Sequence, residues 1–198
     1  MALIDPRNPP LSGPVTDADL GPLAGLVGTW EGAEGVDVAY SYPRREIGET
    51  LFRERATYVA LGPVENGSQR LFGLDYRIEA WAGDESYPFH LEVGYWLWNQ
   101  GSGRLTRGFV VPRGSTVLAS GLVGPDDLVL EAHAEAGKTT DGILSSEYLA
   151  RAARTTSFRC RYEVGTATYA YEQVTVLEHA SIGGSMEHTD RNVLHRVG

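Results

Sequence analysis

Cysteine is almost absent: Cys160 stands alone in 198 residues. That excludes an intrachain disulfide framework and fits a reducing compartment, so a cytoplasmic protein is expected. Positive charge is also scarce, with 17 Lys+Arg against 26 Asp+Glu and a formal net charge of -9. Such a surface repels phosphate backbones and anionic lipid, which sets nucleic acid and membrane aside as partners. No apolar run approaches the roughly 20 residues of a membrane span. The start, Met1-Ala-Leu-Ile-Asp-Pro-Arg, lacks the basic and apolar regions of a secretory signal. Motifs of common chemistry are missing as well. The five histidines form no H-x-H or H-E-x-x-H pair, and there is no G-x-S-x-G elbow, P-loop or strand-borne G-x-G-x-x-G. Dedicated zinc, serine hydrolysis, phosphoryl transfer and dinucleotide chemistry therefore lack support.

What is present is alternation. Phe72, Leu74, Tyr76, Ile78 and Ala80 interleave with polar or small residues, as do Leu91, Val93, Tyr95 and Leu97 against His90, Glu92, Gly94 and Trp96. Leu128 to Ala136 and Phe158 to Val164 repeat the period, with further runs at Thr29, Thr50 to Ala60 and Tyr169. A period of two with few helical stretches between argues antiparallel sheet. Turn residues such as Asn66-Gly67, Gly101-Ser-Gly103 and Gly124-Pro-Asp-Asp127 separate the runs. The expectation is an all-β fold: a single antiparallel up-and-down barrel of about ten strands, closed so that no edge is left exposed.

Four prolines among residues 1–15 indicate an extended arm, taken as residues 1–19, ahead of a barrel domain over 20–198. A cap at Thr16-Asp17 followed by Leu20, Leu23, Leu26 and Val27, with Gly28 beyond, predicts a short N-terminal helix that plugs one barrel end. Residues 145–154 read as a helical turn within a loop. His133 alternates with Glu131 and Glu135, a solvated row, whereas His90 and Glu92 share a face that points either into the lumen or away from it. His188 stands beside Glu187 and Asp190, either of which would orient an imidazole bound to a metal.

Three stretches in order resemble the nitrobindin family of heme-binding β-barrels. They are Leu23-Ala-Gly-Leu-Val-Gly28-Thr-Trp30-Glu-Gly32, then Phe52-Arg-Glu54 with His90-Leu-Glu92-Val-Gly94-Tyr95, and the ending from His188 to Val193-Leu194-His195-Arg196. The resemblance implies a barrel like that of fatty-acid-binding proteins and heme b as cofactor, with His188 as the iron ligand. It further implies that Gly28, Trp30, Gly32 and His90 lie near the heme; from charge alone, Arg191 or Arg113 is expected to pair with its propionates, an arginine fork suiting carboxylates. The implied activity is nitric oxide binding and isomerisation of peroxynitrite to nitrate on an open iron position, with no catalytic side chain beyond the ligand. Departures exist: Glu34 occupies the third glycine position of the signature, and Tyr42-Pro43-Arg44 replaces the family's Y-P-T. The alternative is a heme-free carrier of a small hydrophobic ligand, using Tyr95, Trp96 and Trp98. A small molecule is the expected partner, and an exposed apolar wall would serve a homodimer.

Overall fold

The computed structural model describes residues 15–67 and 69–197; most of the expected 1–19 arm lies outside them. Eleven strands form one closed barrel. They are β1 (Gly28–Ser41), β2 (Glu46–Asn66), β3 (Gln69–Ala82), β4 (His90–Asn99), β5 (Arg104–Val111), β6 (Ser115–Leu122), β7 (Val129–Ala136), β8 (Gly142–Ser145), β9 (Ala153–Val164), β10 (Thr168–His179) and β11 (Gly184–Arg196). Neighbours follow chain order except that β8 sits between β6 and β7, and β1 pairs β11 to close the seam. The short β7–β8 contact is parallel, so the barrel is not purely antiparallel.

Alternation puts one face of each strand inside. Leu74, Tyr76 and Ile78 of β3, Leu105, Arg107 and Phe109 of β5, and Phe158, Cys160 and Tyr162 of β9 are all buried. On β4 the choice left open by the sequence resolves inward for Glu92, Trp96 and Trp98, leaving Val93 and Tyr95 exposed on the outer wall beside Val110 and Leu118. His133 faces out with Glu131 and Glu135. Leu128 precedes β7 and is exposed.

One end is plugged. Thr16 caps α1 (Asp17–Leu20) in a capping box with Asp19, and the chain then tightens into a 3-10 turn at Gly21–Leu26 because Gly21 takes φ +53 ahead of Pro22. Leu20, Leu23 and Leu26 are buried in the barrel end. A Cβ on Gly21 would sit 2.5 Å from the Trp98 ring, so only glycine lets the plug seat this closely. Trp30 donates its indole N–H to the Leu26 carbonyl at 2.8 Å and packs edge-on to Tyr169. The other end, the mouth, carries the β1–β2, β3–β4, β5–β6 and β10–β11 turns and α2 (Glu147–Ala152). No helix of the described residues is long and apolar enough to cross a membrane.

Candidate functional site

The mouth half of the lumen is polar, and it is built at the barrel seam. In β1 a register shift falls between Glu31 and Val36 against β11, matched by one between Gly32 and Gly35 against β2. An extra residue of this kind reverses which residues point inward. Ala33 and Glu34 are thereby left exposed on the outside, and Asp37 turns into the lumen at 6 % exposure. Asp37 lies directly opposite Asp190 of β11. Two carboxylates facing across a ladder repel. The group that holds them together is His188, whose Nε2 is 2.6 Å from Asp37 Oδ1 and 3.4 Å from Asp190 Oδ1. Burial alone would lower the His188 pKa, but the hydrogen bonds and charges of Asp190 and Asp37 prevail and push it up to about 10. Burial raises Asp190 too, yet the bond to His188 outweighs it and its carboxyl lies below the usual range. Burial pushes Asp37 up, against the pull of His188. His188 is accordingly an imidazolium between two aspartates.

Deeper in, Glu54 is 3 % exposed. Its Oε2 accepts from the Tyr171 hydroxyl at 2.6 Å and the Asn192 amide at 3.1 Å, while Oε1 has no partner. Burial lifts its pKa to about 7. Arg107, with no exposed surface, spends its donors on Glu92 Oε1 at 2.6 Å, Gln173 Oε1 at 2.5 Å and the Tyr76 hydroxyl at 3.1 Å. Five rings surround the guanidinium, their centroids within 4.9–5.7 Å, including Phe109, Trp96 and Tyr162. Glu92 also meets Nε2 of His90 at 3.7 Å. Although burial opposes ionisation, Arg107 and His90 hold Glu92 down at about 2. His90 is half-buried, which would lower it, but Glu92 raises it.

Between these groups lies a chamber of about 30 Å³, walled by Glu54, His90, Glu92, Tyr171, Asp190 and neighbours and closed by Phe52 and Phe89, whose ring centroids are 5.8 Å apart. A larger concavity of about 740 Å³ lies on the outer wall near Ser120, His133 and Arg159, away from this cluster.

The sequence-derived site residues do not all meet here. His188 and His90 both belong to the mouth. Gly28 and Trp30 belong to the plugged end, because β1 and β11 run antiparallel and Trp30 pairs with Arg196 while Val38 pairs with Thr189; Gly32 lies between the two ends, paired with Glu54, where a Cβ would sit 3.0 Å from the Asn192 amide. The eight residues from Trp30 to Val38 span about 26 Å of strand. Arg191 and Glu34 face the outside and are exposed, and Arg113 lies in the β5–β6 turn at the rim. Asp37 and Arg107 were not singled out by the sequence, and Glu54 stood there only as the end of a family-like stretch. For Arg107 the signal exists in Leu105-x-Arg107-x-Phe109, an arginine in register with two apolar residues.

Residues 19–196 match the family model described as the THAP4-like, heme-binding beta-barrel domain. The chain belongs to that family. It is the nitrobindin family that the sequence resembles, and the barrel expectation holds with it. Among solved structures, Rv2717c from M. tuberculosis has a similar fold, with a TM-score of 0.64 and 20% identity over 89% of this chain and 95% of that one. No curated protein matches.

The family is heme-binding, but the residues present in this member do not fit the group. Iron takes a neutral imidazole nitrogen, and His188 Nε2 is held against Asp37. Ligand pockets run to roughly 300–1,000 Å³, whereas the chamber in the mouth, lined by Glu54, His90, Glu92 and Asp190, holds about 30 Å³.

Proposed function

We propose that this member of the heme-binding barrel family is a binding protein whose mouth takes a small polar ligand directly through its own side chains. The observation that carries the reading is the 2.6 Å contact between Asp37 and His188. An imidazolium held to about pH 10 has no lone pair for iron at neutral pH. Nitric oxide binding and peroxynitrite isomerisation, which the resemblance implied, both need iron with an open position, so neither activity is expected of this chain. The carrier of an apolar ligand is not favoured either. A fatty acid needs an apolar channel and a free cation for its carboxylate, whereas each nitrogen of Arg107 already donates to a protein acceptor and rings pack the lumen.

A hemin titration followed at the Soret band tests this. The expected result is no saturable band that depends on His188, with wild type and His188→Ala giving the same spectrum. A 1:1 band in the wild type that is lost in His188→Ala would restore the heme function and remove the reading.

A further inference from the structure

We propose that the chamber walled by Glu54, His90, Glu92 and Asp190 binds the head of a small primary ammonium compound, a monocation that donates through its N–H groups. It rests on the reading of the mouth as a polar site made by side chains. The carboxylates of the mouth have cationic partners except at one place. Glu92 has Arg107 at 2.6 Å, and Asp37 and Asp190 share His188 at 2.6 and 3.4 Å. Glu54, 3 % exposed, is bonded only by the neutral donors Tyr171 and Asn192, both on Oε2. Its Oε1 has no partner among the described residues, and Glu54 lines the chamber. A buried acceptor of this kind needs a donor, and a buried carboxylate needs a cation. The want of one shows in the Glu54 pKa of about 7, whereas Glu92 beside its guanidinium lies at about 2.

The walls select the form of the cation. Three carboxyl side chains face the chamber, and a primary ammonium brings three donors and no acceptor. The volume of about 30 Å³ is that of one water molecule, which suits an ammonium head and is too small for a guanidinium or a quaternary ammonium. Among the described residues, no three ligand atoms of Glu54, His90, Glu92 and Asp190 lie within 4.8 Å of one another. That spread is too wide for a metal with bonds of about 2.0–2.2 Å, whereas charge-assisted N–H···O bonds reach about 2.7–2.9 Å. The way in runs between Phe52 and Phe89. Phe52 is buried, but Phe89 stands in the β3–β4 turn at 44 % exposure, where side chains change rotamer readily. A short alkyl tail leaves between the two rings, whose faces also attract the charge. The chain's net charge of -9 draws cations toward it.

The test uses the full chain, titrated calorimetrically with n-butylammonium chloride at constant ionic strength, and with tetramethylammonium chloride as the cation without N–H. One butylammonium per chain is expected. Tetramethylammonium should bind at least about 10-fold more weakly, because hydrogen bonds to a charged group are lost. Glu54→Gln should bind butylammonium about 10- to 100-fold more weakly, while Glu131→Gln, which removes a carboxylate from the outer wall, should bind as wild type. Affinity should rise from about pH 6 to about pH 8 as Glu54 ionises, and the rise should shrink in Glu54→Gln. The part that remains belongs to His90, which loses its charge in the same direction, while Glu92 and Asp190 stay ionised throughout. Circular dichroism of each variant shows whether the barrel is retained. Equal binding of the two cations to the wild type, a comparison that needs no variant, means that charge alone is read, and the inference falls. It falls also if Glu54→Gln, still folded, binds butylammonium as tightly as the wild type. If neither butylammonium nor hemin binds, the inference falls alone; a His188-dependent hemin band overturns the reading beneath it as well.

Discussion

Arg107→Met should destabilise the barrel by about 3–5 kcal/mol, the cost of removing one partner of a buried ion pair. The side chain that suffers is Glu92. Its carboxylate is buried, and without the guanidinium only His90 and the Tyr76 hydroxyl remain to compensate it. Methionine fills most of the volume inside the ring cage, so lost packing is the smaller part of the effect. The double variant Arg107→Met with Glu92→Leu separates the two causes: replacing both members of a buried pair by apolar groups is often neutral or stabilising. Urea unfolding at pH 7.5 should show the single variant far below wild type and the double variant recovering most of the loss. Equal losses in both would mean that Arg107 matters by shape and not by charge. The same pair has an acid signature. Glu92 is depressed to about 2 in the folded chain, so its stabilising contribution is present above about 4.5 and disappears as pH falls toward 2.

Glu54 should act in the opposite sense. Its pKa rises from 4.5 to about 7 on folding, so the folded state holds the proton more tightly. Stability from this group is therefore full below about 4.5, declines as pH rises through 7 and is gone above it. A shift of that size corresponds to about 3 kcal/mol. Glu54→Gln keeps acceptors for Tyr171 and Asn192 but cannot ionise. The difference in unfolding free energy between variant and wild type should accordingly move by about 3 kcal/mol in favour of the variant between pH 4.5 and pH 8. Its absolute offset is set by the new amide N–H at the position where Oε1 has no partner, a cost of about 1–3 kcal/mol. Parallel stability curves for the two proteins across that range would mean that Glu54 ionises as an exposed carboxyl does.

The barrel was legible because inward alternation is a local property: Phe72 to Ala80 declares its face without knowledge of any partner strand. The plug was legible from Thr16 and the leucine spacing, although Gly21-Pro22 cuts the α-helix short in favour of a 3-10 turn. The site was harder to read because it depends on register. Trp30 and His188 both fall in motif-like stretches, yet the pairing of Glu31 with His195 puts them at opposite ends. Asp37 lies in Val36-Asp37-Val38, where unbroken alternation from Trp30 would turn Val36 and Val38 inward; the bulge after Gly32 turns Asp37 inward instead, and nothing in the composition of that stretch announces it. Glu54 and Glu92 were inside the quoted motifs, but their partners Asn192 and Arg107 are distant in the chain. Family resemblance marks the mouth as the place of interest; the side chains found there decide what it can hold.

The most direct measurement is an NMR pH titration of the His188 ring nitrogens in the full chain. The account predicts an imidazolium protonated on both nitrogens at pH 7.5, with a midpoint near 10 that moves down in Asp37→Asn. A midpoint near the ordinary histidine value of about 6.5, unchanged in Asp37→Asn, would mean that the ring is free and neutral, and would return it to service as an iron ligand.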